Sequence, residues 1–205
     1  MDGTPGLRER KKQATREALS WAALRLAVQH GFDNVLVEDI AAGAGVSPRT
    51  FNNYFSSKAE AIVWRHLDRV RQFGAALRAR PPGEPLWPAI IHAALEPLND
   101  NQHVDAPNPE WTAGARLVIN EPALIGEYLK AGAIAEAELA EAIAERTGTH
   151  PTQDLYPQLV AAVVNAVTTT ANRLWLNADP PMPLLPLLRD ALQQVASGLP
   201  EPTST

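Results

Sequence analysis

The chain has 205 residues, 45% of them hydrophobic, enough for a buried core and well outside the disordered class. It has no cysteine, which excludes disulfides, thiolate metal sites and cysteine nucleophiles, and no apolar run approaches the roughly 20 residues of a membrane-spanning helix. The net charge of −5 hides an asymmetry: residues 1–80 hold 13 Lys and Arg against 8 Asp and Glu, whereas 81–205 hold 5 against 15. A basic front and an acidic rear point to a polyanion meeting the front alone, the alternative being uneven surface charge with no partner.

Residues 1–12 are polar, then basic, with no apolar signal segment, so a cytoplasmic protein that does not engage a membrane is expected. Leu7 to His30 reads as a helix, with Leu19, Ala23 and Leu26 spaced by four and three and Gly31 as the stop. Phe32 returns to the core. Val37 to Gly43 is a second helix with Ile40 facing in, and Ala44-Gly45-Val46 is a turn. Ser47 is suited to cap a third helix, and Pro48 sits at its first position, where a missing N–H costs nothing. Ser57-Lys58-Ala59-Glu60 matches a capping box and opens a fourth helix, to about Arg80, with Val63, Leu67, Val70, Phe73 and Leu77 on one stripe.

Pro81-Pro82-Gly83 breaks the chain. Beyond it, helices are expected over Leu86 to about Leu98, from Asn108-Pro109-Glu110 to near Asn120, Pro122 to about Arg146, Asp154 to about Asn177 and Pro183 to Ala196, with a polar loop from Asn99 to Pro107. The expectation is an all-α protein of about nine helices, with a helix-turn-helix front domain over 1–57 and a helical body domain over 58–200.

The third helix is short and polar, and its chemistry suits base edges. Arg49 can donate two hydrogen bonds to guanine, and Asn52 and Asn53 can pair with adenine. Thr50 suits a thymine methyl or a phosphate, and Tyr54 a phosphate. Lys58, at a helix N-terminus, converges with free N–H groups on an anion. Arg8, Arg10, Lys11 and Lys12 are within reach of backbone phosphates. The plainer alternatives are a solvated helix end for Asn52 and Asn53, a core position for Tyr54, and a solubilising arm for the basic run.

Gly31-Phe32, Val37-Glu38-Asp39-Ile40-Ala41, Gly45-Val46-Ser47, Tyr54-Phe55 and Ser57-Lys58 together resemble the TetR family of bacterial transcriptional regulators over roughly residues 8–66. The resemblance implies that Ser47, Pro48, Arg49, Thr50, Asn52, Asn53, Tyr54 and Lys58 face DNA. Three positions depart from the family pattern. Val35-Leu36 replace two Thr or Ser residues, the second of which caps the second helix. Asn52 replaces an aromatic residue, and Ala27 replaces a bulky aromatic that Phe32 or Trp21 would have to offset. The rest of the chain resembles actinobacterial members with an acyl-CoA-like ligand-binding domain.

One reading helix spans few base pairs, so a near-palindromic double-stranded operator and a homodimer are expected. The interface is assigned to the last two helices, through Leu159, Val163, Ala166, Thr170 and Leu174 on one and Leu184, Leu188, Leu192 and Val195 on the other. The alternative is that both stripes face the subunit's own core. Phe73, Trp87, Trp111, Arg116, Asn120, Asn165, Thr169 and Asn172 are the candidate contacts for a small, largely apolar effector, with Arg116 suited to an anionic group. No metal-ligand cluster, phosphate loop or nucleophile motif is present, and neither catalysis nor a cofactor is expected. A repressor released by its effector is the favoured reading. The alternative is a helical small-molecule or acyl-CoA-binding protein, or an enzyme, without DNA binding.

Overall fold

A computed structural model describes residues 6–99, 109–179 and 182–201, with side chains for 6–96, 112–179 and 182–201. The described residues form nine α-helices and no strand: α1 (Leu7–His30), α2 (Val37–Gly43), α3 (Pro48–Asn52), α4 (Lys58–Ala79), α5 (Leu86–Asn99), α6 (Pro109–Asn120), α7 (Pro122–Thr147), α8 (Leu155–Leu176) and α9 (Leu184–Ala196). The expected polar loop after Leu98 lies, from residue 100 to 107, outside the described residues.

The helices begin and end where local chemistry directs them. Ser47 Oγ accepts from the Thr50 N–H at 3.2 Å, capping α3 ahead of Pro48. Ser57 Oγ accepts from the Glu60 N–H at 3.0 Å at the start of α4. The return arm of this capping box lands one residue early, because the Glu60 carboxylate accepts from Ser56 N–H at 2.7 Å and Ser56 Oγ at 2.6 Å. A 3-10 turn, Phe32–Asn34, was not anticipated between α1 and α2.

The chain packs as two compact units, one of Met1–His66 with Thr112–Ala131 and one of Leu67–Trp111 with Gly132–Thr205. The expected sequential division at residue 57 does not coincide with them. The first unit takes in most of α6 and the start of α7. Its core holds Leu19, Ala23, Ile40, Phe51, Phe55, Ile62 and Leu124, and Ser20 Oγ donates to the Ala61 carbonyl at 2.6 Å inside it. Phe32 and Ala27 are both buried, whereas Trp21 is 43% exposed with the Arg65 guanidinium 3.6 Å from its ring centroid.

In the second unit α9 packs against α8 and α5. Arg71 pairs with Glu138 and Arg78 with Glu145, at 2.9 and 2.7 Å. Both pairs advance seven residues in the same sense, so they hold α4 and α7 parallel and in register. Exposed pairs of this kind contribute little stability each. At the end of α4, Arg146 donates to the carbonyls of Arg80, Pro81 and Glu84. Arg80 and His92 converge on the Glu84 carboxylate, each at 2.7 Å. Hydrogen bonding from Arg80, and then from His92, holds the Glu84 carboxyl down at about 2.

Candidate nucleic-acid interface

The reading head is set by α2, a tight turn and α3. Val46 N–H donates to the Ala41 carbonyl at 2.9 Å and Gly45 N–H to Ala42 at 3.0 Å. Gly45 adopts φ +70°, a left-handed conformation that a side chain would strain, so glycine is what permits so short a turn. α3 has five residues and cannot stand alone; it is pinned from below by Phe51 and Phe55, both buried, with ring centroids 5.8 Å apart. The opposite face carries the polar side chains. Ser47, Pro48, Arg49, Asn52 and Asn53 are exposed, and Thr50, half-buried, has its hydroxyl 3.0 Å from Ser47 Oγ.

Beside α3 runs a surface groove lined by Arg8, Glu9, Lys11, Lys12 and Thr15 of α1 and by Thr50, Asn53 and Tyr54. Three cationic side chains against one carboxylate, alongside three hydroxyls and an amide, suit a chain of phosphates. The groove joins the basic run of α1 to the reading helix, a juxtaposition that spacing along the chain does not reveal. Arg10 is exposed but does not line it. Tyr54 is half-buried, with its ring at the groove wall.

Lys58 does not present an ammonium to solvent as expected. Its Nζ donates to the carbonyls of Phe32, Val35 and Asp33 at 2.7, 3.0 and 3.3 Å and sits 4.4 Å from the Phe32 ring centroid. All three ammonium donors are thus committed to the turn between α1 and α2 rather than turned out towards an anion. Leu36 occupies the N-cap of α2, 59% exposed and without a side-chain cap, as its lack of a hydroxyl requires.

The candidate effector contacts are divided between the two units. Arg116 and Asn120 are exposed and belong to the first unit, whereas Phe73, Trp87, Asn165, Thr169 and Asn172 belong to the second. Phe73 is buried, Trp87 and Asn172 are half-buried, and Thr169 is exposed. The Asn165 amide donates to Glu136 at 3.3 Å. The Trp111 side chain lies outside those described.

Residues 21–61 match a family model described as bacterial regulatory proteins, tetR family, and residues 84–200 match one described as the MftR C-terminal domain. The transcriptional regulator TcmR of Streptomyces glaucescens is 36% identical over 179 residues, covering 85% of this chain and 79% of that protein. MftR of Mycobacterium tuberculosis, named as a mycofactocin biosynthesis transcriptional regulator, is 30% identical over 194 residues and 93% of each chain. Among solved structures, a TetR-family regulator of Syntrophomonas wolfei superposes with a TM-score of 0.62 at 20% identity, over 92% of this chain and 97% of that one. Thermus thermophilus FadR, solved with lauroyl-CoA, superposes with a TM-score of 0.55 at 18% identity and the same coverage.

Proposed function

Since this chain belongs to the TetR family and is a DNA-binding transcriptional regulator rather than an enzyme, we propose that it acts in the cytoplasm as a homodimeric repressor whose two reading heads grip a near-palindromic operator. The observation that carries this is the exposed face of α3, capped at its start and pinned by buried aromatics, with Arg49, Asn52 and Asn53 pointing away from the core. Arg49 reads a guanine and the two asparagines read adenines, while Arg8, Lys11, Lys12 and Thr50 follow the phosphates along the groove. Ser47 and Pro48 hold the helix N-terminus against the backbone.

Dimerisation is assigned to α8. Leu155, Leu159 and Leu174 are 76%, 52% and 53% exposed along one side of that helix, an apolar strip that a second copy would cover. The effector is a small, largely apolar molecule held in the second unit, with Phe73, Trp87, Asn165 and Asn172 as candidate contacts. The lauroyl-CoA carried by a protein of the same fold makes an acyl-CoA the first ligand to test. Release follows from a population shift: a tenfold loss of operator affinity needs about 1.4 kcal/mol of preference for a head spacing that misfits DNA.

The test starts from duplexes selected by the protein out of a random pool. Arg49→Ala should cost about 1–3 kcal/mol and relax preference at one base pair per half-site. Unchanged preference in the variant would remove Arg49 from the reading set, and failure to select any sequence would reject operator reading. Equal affinity of lauroyl-CoA for free and operator-bound protein would reject it as inducer.

A further inference from the structure

We infer that Arg16 is a positioning residue for base reading: it holds the C-terminal end of α3 in a set relation to α1, so that the reading face and the phosphate groove engage one duplex in register. The inference rests on the base-reading proposal above. A helix of five residues inherits its orientation from its flanks. The N-terminal flank is fixed by the Ser47 cap and by the bond from Val46 to Ala41. At the other flank a single cation recurs. The Arg16 guanidinium carbon lies 6.0 Å from the Tyr54 ring centroid, 5.7 Å from that of Phe55 and 6.0 Å from that of Trp64. Its Nη2 donates a long hydrogen bond, 3.5 Å, to the Tyr54 carbonyl.

One side chain of α1 therefore touches the two residues that leave α3 and a buried ring of α4. The cation also sits beside the carbonyl end of the reading helix, where partial negative charge collects. The arrangement has a cost: Arg16 Nε is buried with no acceptor among the described residues. An apolar side chain would fill the space without that cost, but could offer neither the donor to Tyr54 nor attraction to three ring faces. The neighbouring Thr15 lines the phosphate groove together with Thr50, Asn53 and Tyr54. The width of the groove, and with it the offset between phosphate grip and base reading, is thus set at Arg16.

The experiment compares a duplex selected by the wild type with a shuffled duplex of the same composition, each titrated across a range of salt. Arg16→Gln should lower the ratio of the two affinities about tenfold, the scale of one lost base contact, while shuffled-duplex affinity and its salt slope stay unchanged. Arg16→Lys, which keeps the cation but loses the planar face, should give an intermediate ratio. A slope shallower by about 0.9 would make Arg16 a direct phosphate contact and overturn the inference. An unchanged ratio would overturn it as well. A wild-type ratio near one would instead defeat base reading itself, and this inference with it. If Arg16→Gln fails to unfold cooperatively above the assay temperature, the wild type decides. Its Arg16 Nε–H should give an NMR signal shifted by the three rings and slow to exchange with water, and a signal like that of free arginine would overturn the assignment.

Discussion

The substitution Gly114→Ala tests how the first unit is built. Gly114 lies inside α6, where a Cβ would stand 2.9 Å from Leu24 Cδ2, 3.2 Å from its Cγ and 3.3 Å from its Cδ1. Real carbon contacts do not come so close, and Leu24 of α1 is only 8% exposed, which leaves it little room to turn away. Overpacking of this kind costs about 1–3 kcal/mol. Alanine returns about 1 kcal/mol of helix propensity over glycine, so the net expectation is a loss of about 0–2 kcal/mol. Leu24→Ala alone should cost about 2–5 kcal/mol, and it removes all three clashing atoms. In that background only the propensity gain survives, and Gly114→Ala should change sign, stabilising by up to about 1 kcal/mol. Urea unfolding of the four proteins, monitored by circular dichroism and by tryptophan fluorescence as a check on two-state behaviour, gives the coupling energy directly. The same effect of Gly114→Ala in both backgrounds would refute the claim that this pair limits how closely α6 approaches α1.

Lys58→Met should destabilise the protein by about 2 kcal/mol or more, because it leaves the carbonyls of Phe32, Val35 and Asp33 without their charged donor; an unchanged unfolding midpoint would return Lys58 to the phosphate contacts. Glu84 is held at about 2 in the folded chain against an ordinary 4.5, so its contribution is complete above about pH 4.5 and is lost as pH falls through 2. The stability difference between wild type and Glu84→Gln should therefore close as pH falls from 4.5 to 2, as read from urea midpoints at successive pH values; a difference that opens over that range would contradict the pairing. Leu159→Glu with Leu174→Glu should convert a dimer into a 22.2 kDa monomer in sedimentation velocity, and a wild type that already sediments at 22.2 kDa would reject the interface.

The helical architecture was legible because proline, glycine and capping residues punctuate this chain wherever its periodicity changes. Ser47-Pro48 and Ser57 with Glu60 each mark a helix start through a local hydrogen bond, and local bonds can be read from spacing. The fate of Lys58 could not be read in this way. Its partners lie 23–26 residues away on a turn that the sequence pattern did not reveal, and a lysine at a helix start looks the same whether it faces an anion or a carbonyl. The packing of α6 into the first unit was hidden for a similar reason. Gly114 reads as a weak point in a helix until Leu24, 90 positions earlier, is seen to need the space.

The two stripes assigned to the interface show what periodicity does and does not decide. On α9, Leu184, Leu188 and Leu192 are buried, consistent with its packing against α5 and α8, so that stripe faces the subunit's own core. On α8, Leu159 and Leu174 remain outside while Val160, Ala161, Val164, Ala171 and Trp175 are buried on other sides of the same helix. α9 turns its one apolar stripe on two neighbours of its own subunit, α5 and α8, and carries no second stripe for another copy. A helix that is apolar on two sides covers the core with one and still has the other to offer. Counting apolar faces per helix, rather than looking for one good stripe, separates the two cases from sequence alone, and by that measure α8 without α9 is the helix to mutate first.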